Sequence, residues 1–135
     1  MTTRGIRNNN PGNIRLGTAW DGMTPTQTDR SFCQFVDAEH GIRALAKVLI
    51  AYQDVHGLHT VRGMINRWAP PVENNTSAYV NFVSERMGVT PDAVVNIHNL
   101  ATAHAMTTAI IAQEDAGYSY PAAMVDAGLK LAGIS

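Results

Sequence analysis

From Asp37 onward the apolar positions recur with helical spacing. Ile42, Leu45, Ala46, Leu49 and Ile50 follow the i, i+3, i+4, i+7, i+8 stripe of an amphipathic helix, with Asp37 as its N-cap and Gly57 as its stop. Thr60 caps a second helix carrying Val61, Met64, Ile65 and Trp68 on one face, and Pro70-Pro71 ends it. Asn75 or Thr76 caps a third with Tyr79, Phe82, Val83 and Met87, stopped at Gly88. Thr90-Pro91-Asp92, in cap-then-proline order, predicts a short helix, and Pro121 opens a last one with Met124, Val125, Leu129 and Ala132 facing inward. Between these two, Asn99 to Gly117 is apolar on nearly every side, the pattern of a helix buried in the middle of a domain.

The first third of the chain reads differently. Residues 4 to 15 hold four Asn, two Gly and one Pro, too many turn formers for a helix or a regular strand, and predict an ordered polar loop suited to a neutral ligand such as a sugar. From Asn13 to Val36, alternation at Ile14 and Leu16, the Asp21-Gly22 turn signal and Phe32-Cys-Gln-Phe35 predict two or three short strands. Trp20 beside that turn is either a core anchor or a platform for a pyranose ring. The expected fold is α+β, mainly α: about six helices with a small N-terminal β-hairpin sheet, in a single domain over 1–135.

Composition narrows the function. With 135 residues, 45% apolar and 16% charged, the chain can bury a real core, and a formal net charge of −1 argues against a nucleic-acid binder working by bulk electrostatics. The first residues lack the apolar core of a signal peptide, and no apolar run approaches a membrane span, so a soluble, cytoplasmically made protein that needs another route to any work outside is expected. The single Cys33 excludes an internal disulfide and reads as a small buried thiol.

Metal chemistry has little support. His56 and His59 straddle Gly57, His40, His98 and His104 are scattered, and neither a His-Glu-x-x-His motif nor a Cys pair occurs, so no metal and no cofactor are expected. Serine and cysteine nucleophile signatures and Gly-rich phosphate loops are likewise missing. What remains is carboxylates beside Asn-rich loops. Glu114 and Asp115 lie in the last turn of the buried helix, where the dipole favours cations. A carboxyl there, against apolar surface and without an obvious cation, holds its proton toward neutral pH. Glu73, in the loop Trp68-Ala-Pro-Pro-Val-Glu-Asn-Asn-Thr76, is either a dipole partner for the following helix or a site carboxylate. Paired carboxylates in neutral hydrogen-bonding surroundings are the equipment of glycoside cleavage.

Arg4 to Arg15, Trp20-Asp-Gly22, Phe32-Cys-Gln-Phe35, Gly41-Ile-Arg-Ala-Leu45 and Trp68 to Thr76 with Tyr79 resemble a family of small phage and prophage virion or structural proteins regarded as lysozyme-like peptidoglycan hydrolases. A more distant similarity is to bacterial glucosaminidases, in which a catalytic Glu ends a helix ahead of an Asn-rich stretch, a Trp-x-Gly step and a sheet with Phe and Tyr. Here the later parts come first and the Glu114 helix near the other end, as in a circularly permuted lysozyme-like domain. The resemblance implies Glu114 as general acid, Asp29 as second carboxylate with Glu73 its rival, and Asn8, Asn9, Asn10, Asn13, Trp20, Asn74, Asn75 and Tyr79 as substrate-binding residues. It implies a monomer acting on peptidoglycan glycan strands at the cell wall or periplasm, with other virion proteins as further partners and neither membrane nor nucleic acid among them. The competing expectation is a non-catalytic virion protein that binds cell wall or a partner subunit through Trp20, Trp68 and the Asn loops.

Overall fold

A computed structural model describes residues 2–72 and 74–135; the Glu73 expectation lies outside the described residues. Six helices follow in order: α1 Arg4–Arg7, α2 Ala38–Asp54, α3 Val61–Trp68, α4 Thr76–Met87, α5 Leu100–Glu114 and α6 Ala122–Leu131. Local chemistry sets their ends. Asp37, Thr60, Asn75 and Asn99 each accept a hydrogen bond from a first-turn backbone N–H, and Gly88 closes α4 at φ 70°.

Helix α5 packs against α2, α4 and α6, and α2 lies along α6. Their shared core is formed by Ile42, Leu45 and Leu49 of α2, Met64 and Ile65 of α3, Val80 and Val83 of α4, Met106, Ile110 and Ile111 of α5, and Val125 and Leu129 of α6. The α2–α6 approach depends on Gly128, where a Cβ would come within 2.6 Å of Ile42 Cγ2.

Three expectations are corrected. Among the described residues there is no strand and no β-hairpin sheet, so the α+β expectation gives way to an all-helical chain with an irregular N-terminal region. Only isolated antiparallel bridges, Arg15 with Phe32 and Met23 with Phe35, occur where the hairpin was expected. The reason is competition by side-chain amides for the groups a ladder needs. Asn10 Nδ2 donates to the carbonyls of Ile14 and Cys33, Asn9 Nδ2 to that of Phe35 and Gln27 Nε2 to that of Gln34, while Gln27 Oε1 accepts from Gln34 N.

Second, the Asn-rich loop begins with the one-turn helix α1, capped by Thr3. Third, no helix forms at Thr90-Pro91-Asp92. Arg62 of α3 draws Asp92 into an ion pair at 2.8 Å, Arg62 N donates to Pro91 O, and Val95 N donates to His59 O, so the segment is pinned along the start of α3.

Candidate active site

Glu114 is the last residue of α5, half-buried, and it lines a cleft of about 520 Å³. Its carboxylate is held by two neutral donors: Asn13 Nδ2 to Oε1 at 3.2 Å, and the Tyr79 hydroxyl to Oε2 at 2.8 Å. The Tyr79 hydroxyl in turn accepts from Trp68 Nε1 at 3.0 Å. Tyr79 comes from the buried face of α4 and Trp68 from the end of α3, so three helices and the N-terminal loop converge on one carboxyl. Burial and the neighbouring Glu114 charge push the Tyr79 phenol well above its ordinary pKa, which keeps it a donor.

Around Glu114 the cleft is lined by Gly12 to Arg15 and Phe32, by Val48 and Tyr52 of α2, by Arg67 to Pro70, and by Asn74. Asn13 sits at φ 51°, a left-handed conformation that Asn tolerates better than most residues, and this turns its amide toward Glu114. Of the residues named from sequence, then, Glu114, Asn13, Asn74 and Trp68 line the cleft, and Tyr79 holds the acid through its hydroxyl.

The other described residues among them lie elsewhere. Asp29 does not line the cleft. Arg4 grips it through Nε and Nη2, both at 2.6 Å, and it also accepts from Asn8 Nδ2, Ser31 N and Phe32 N. The guanidinium and then the backbone donors hold this carboxyl well below the usual carboxylate range, so it is a fixed anion that ties the loop to the 29–32 turn. Asn8 is engaged with Asp29 and Gln34, Asn9 with Phe35, and Asn10, fully buried, with Ile14 and Cys33. Asn75 is the N-cap of α4. Trp20, partly buried, packs against the Cys33, Phe35 and Ala44 cluster and does not line the cleft.

The next residue, Asp115, is a desolvated carboxyl at the same helix end. Asp115 is 2% exposed, its Oδ1 accepts from Thr3 Oγ1 at 2.6 Å, and its Oδ2 is buried with no partner among the described residues. Burial pushes its pKa up to about 6, against the lowering effect of the Thr3 bond, and the Glu114 charge adds to the rise.

Arg15 and Arg67 were not singled out from the sequence. Each lies over a cleft aromatic, Arg15 5.0 Å from the Phe32 ring centre and Arg67 5.6 Å from that of Tyr52. No sequence spacing connects them, because the cleft joins chain segments far apart.

None of the described helices is long and apolar enough to cross a membrane. No group of three or more His, Cys, Asp or Glu that could hold a metal ion occurs among the described residues.

No family model matches the chain. It is similar to Protein P5 of Pseudoalteromonas phage PM2, with 38% identity over 121 residues that cover 87% of this chain and 74% of that protein. A phage protein is thus among its relatives, as the resemblance of the Asn-rich and Trp68 to Thr76 motifs implies. On that identity and coverage, the chain belongs to the family of Protein P5 of Pseudoalteromonas phage PM2.

Proposed function

We propose that this is a phage-encoded enzyme that cleaves the glycan strand of peptidoglycan, with Glu114 as its acid catalyst. The observation that carries the reading is Glu114 itself: a half-buried carboxyl in an aromatic-lined cleft, oriented by two neutral donors and unpaired with any cation among the described residues. A structural carboxylate in this protein looks different, as the Arg4 grip on Asp29 illustrates. The cleft volume lies within the range of small-ligand sites, and Phe32, Tyr52 and Trp68 supply the apolar surface that sugar rings need.

Among the described residues Glu114 is the only carboxylate lining the cleft. Asp29 lies outside the cleft in the grip of Arg4, which supports a one-acid mechanism over hydrolysis with Asp29 as second carboxylate. Glu114 gives its proton to the glycosidic oxygen as the bond to the anomeric carbon breaks. A hydroxyl of the same sugar then attacks that carbon, and its proton returns to the Glu114 carboxylate. The product carries an anhydro end, no water is consumed, and the acid is regenerated. Asn13 and Tyr79 hold the Glu114 carboxyl group in place through both steps. As a phage product the protein acts at the cell wall, as a virion component or after release into the periplasm.

The test is release of soluble muropeptides from purified peptidoglycan sacculi, with native protein compared with Glu114→Gln and products analysed by mass. The expected outcome is release by the native protein, loss of about 10²–10⁴-fold in the variant, and anhydro ends. Absence of release with retained pull-down on sacculi overturns the catalytic reading in favour of a non-catalytic virion protein that binds cell wall.

A further inference from the structure

The chain carries a net charge of −1, yet its cleft holds two guanidinium groups, Arg15 and Arg67, beside the Glu114 carboxyl. Among the described residues no acidic side chain lies within ion-pairing distance of either; Arg7, Arg30 and Arg86 also lack an acidic partner, but only Arg15 and Arg67 line the cleft. Both are exposed to the cleft and both rest on aromatic faces, Phe32 and Tyr52. A guanidinium placed over a ring is held in a limited range of positions while its N–H fork stays free, and that fork matches a carboxylate with two parallel hydrogen bonds. Neutral sugars need no such group, since amides and hydroxyls serve them equally well.

We infer that Arg15 and Arg67 form an anion subsite that recognises carboxylate substituents on the glycan strand, so the cleft takes carboxylate-bearing strands in preference to neutral ones. The inference rests on the glycan reading of the same site. It assigns specificity to two residues that take no part in bond cleavage: Glu114 performs the chemistry, and the arginines choose and orient the strand. Strands offer such carboxylates either as free lactyl acids or, where the lactyl carboxyl is amide-bonded to a peptide stem, on the stem itself, and an unsubstituted N-acetylglucosamine polymer offers none.

The experiment measures binding to the Glu114→Gln protein by calorimetry, using soluble peptidoglycan strands, the same strands with their carboxyls amidated, and neutral N-acetylglucosamine oligomers of matched length. Native strands are expected to bind about tenfold more tightly than amidated ones, the scale of one charge-assisted hydrogen bond at a partly open site. Arg15→Gln and Arg67→Gln, each added to Glu114→Gln, should weaken native strands several-fold and leave amidated strands and neutral oligomers unchanged. Arg67→Lys should recover part of the loss, keeping the charge without the fork. Both arginines are exposed, and unchanged far-UV circular dichroism checks that the variants fold. Equal binding of native and amidated strands, or equal weakening of both by the arginine variants, overturns the anion subsite and leaves the glycan cleft standing. Failure of all three ligands to bind overturns the glycan reading and the subsite with it.

Discussion

The Tyr79 hydroxyl donates to Glu114 Oε2 at 2.8 Å while accepting from Trp68 Nε1, so the acid is oriented by a side chain that is itself held in place. Tyr79→Phe removes one oxygen and leaves two groups unsatisfied, the half-buried indole N–H and one carboxylate oxygen. We expect a stability loss of about 1–2 kcal/mol, read from urea unfolding, together with a fall in muropeptide release of about 10-fold or more, the effect of a misplaced catalytic group. A fall no larger than the loss of folded protein would remove Tyr79 from the machinery.

Asp115 gives a pH dependence whose sign is fixed by burial. Its folded pKa of about 6 lies above the model-compound value of 3.8, so the folded state holds a proton that the unfolded chain has already released. Its contribution to stability therefore falls as pH rises from about 4 to about 6 and is level above that, by at most about 3 kcal/mol. Asp115→Asn cannot ionise. The difference in unfolding free energy, variant minus native, should shift in the variant's favour across this window; a difference flat with pH would refute the assignment. Asp29 works in the opposite sense, its depressed pKa adding stability above the usual carboxylate range that is lost as pH falls.

Asn10 decides whether the Asn-rich loop serves the ligand or the fold. It is 0% exposed and makes three side-chain hydrogen bonds, two from Nδ2 to the Ile14 and Cys33 carbonyls and one from Ile14 N to Oδ1. Asn10→Ala should cost about 2–4 kcal/mol in urea unfolding. Weaker ligand binding with unchanged stability would instead place Asn10 among the binding residues.

Gly41 carries the seam between the loop and α2. A Cβ there would lie 1.8 Å from the Asn9 carbonyl oxygen, a backbone atom that no side-chain rotation can move. Gly41→Ala should therefore lower the melting temperature sharply or prevent soluble expression, a loss above about 3 kcal/mol. A melting temperature within a few degrees of the native protein would contradict the seam.

The helices were legible because their signals are local. Asp37 and Thr60 cap where the sequence places them, Asn75 is the one of the two candidates that caps α4, and the stripes on α2 and α3 are buried as their spacing requires. The missing sheet was illegible for an equally physical reason: alternation at 13–36 records which side chains face inward, and says nothing of amides at Asn9, Asn10 and Gln27 replacing the ladder. The helix expected at Thr90-Pro91-Asp92 was lost to an arginine thirty positions away. At the cleft, Glu114 was readable as a helix-end acid, but which of Glu114 and Asp115 faces the opening and which the interior depends on the rotation of α5 in its packing. The Arg15 and Arg67 placement depends on tertiary contact alone.

The hydrogen bond between Asn13 and Glu114 joins residues 101 positions apart, and the nearby Thr3 to Asp115 bond joins residues 112 apart. Tyr79 and Trp68 enter the same network from the middle of the chain. The candidate site is therefore indivisible: a fragment that ends before 114 lacks the acid, and one that begins after 13 lacks the amide that steadies it. Its geometry exists only once the polypeptide has closed a loop through most of its length, an entropic cost that rises only logarithmically with that length.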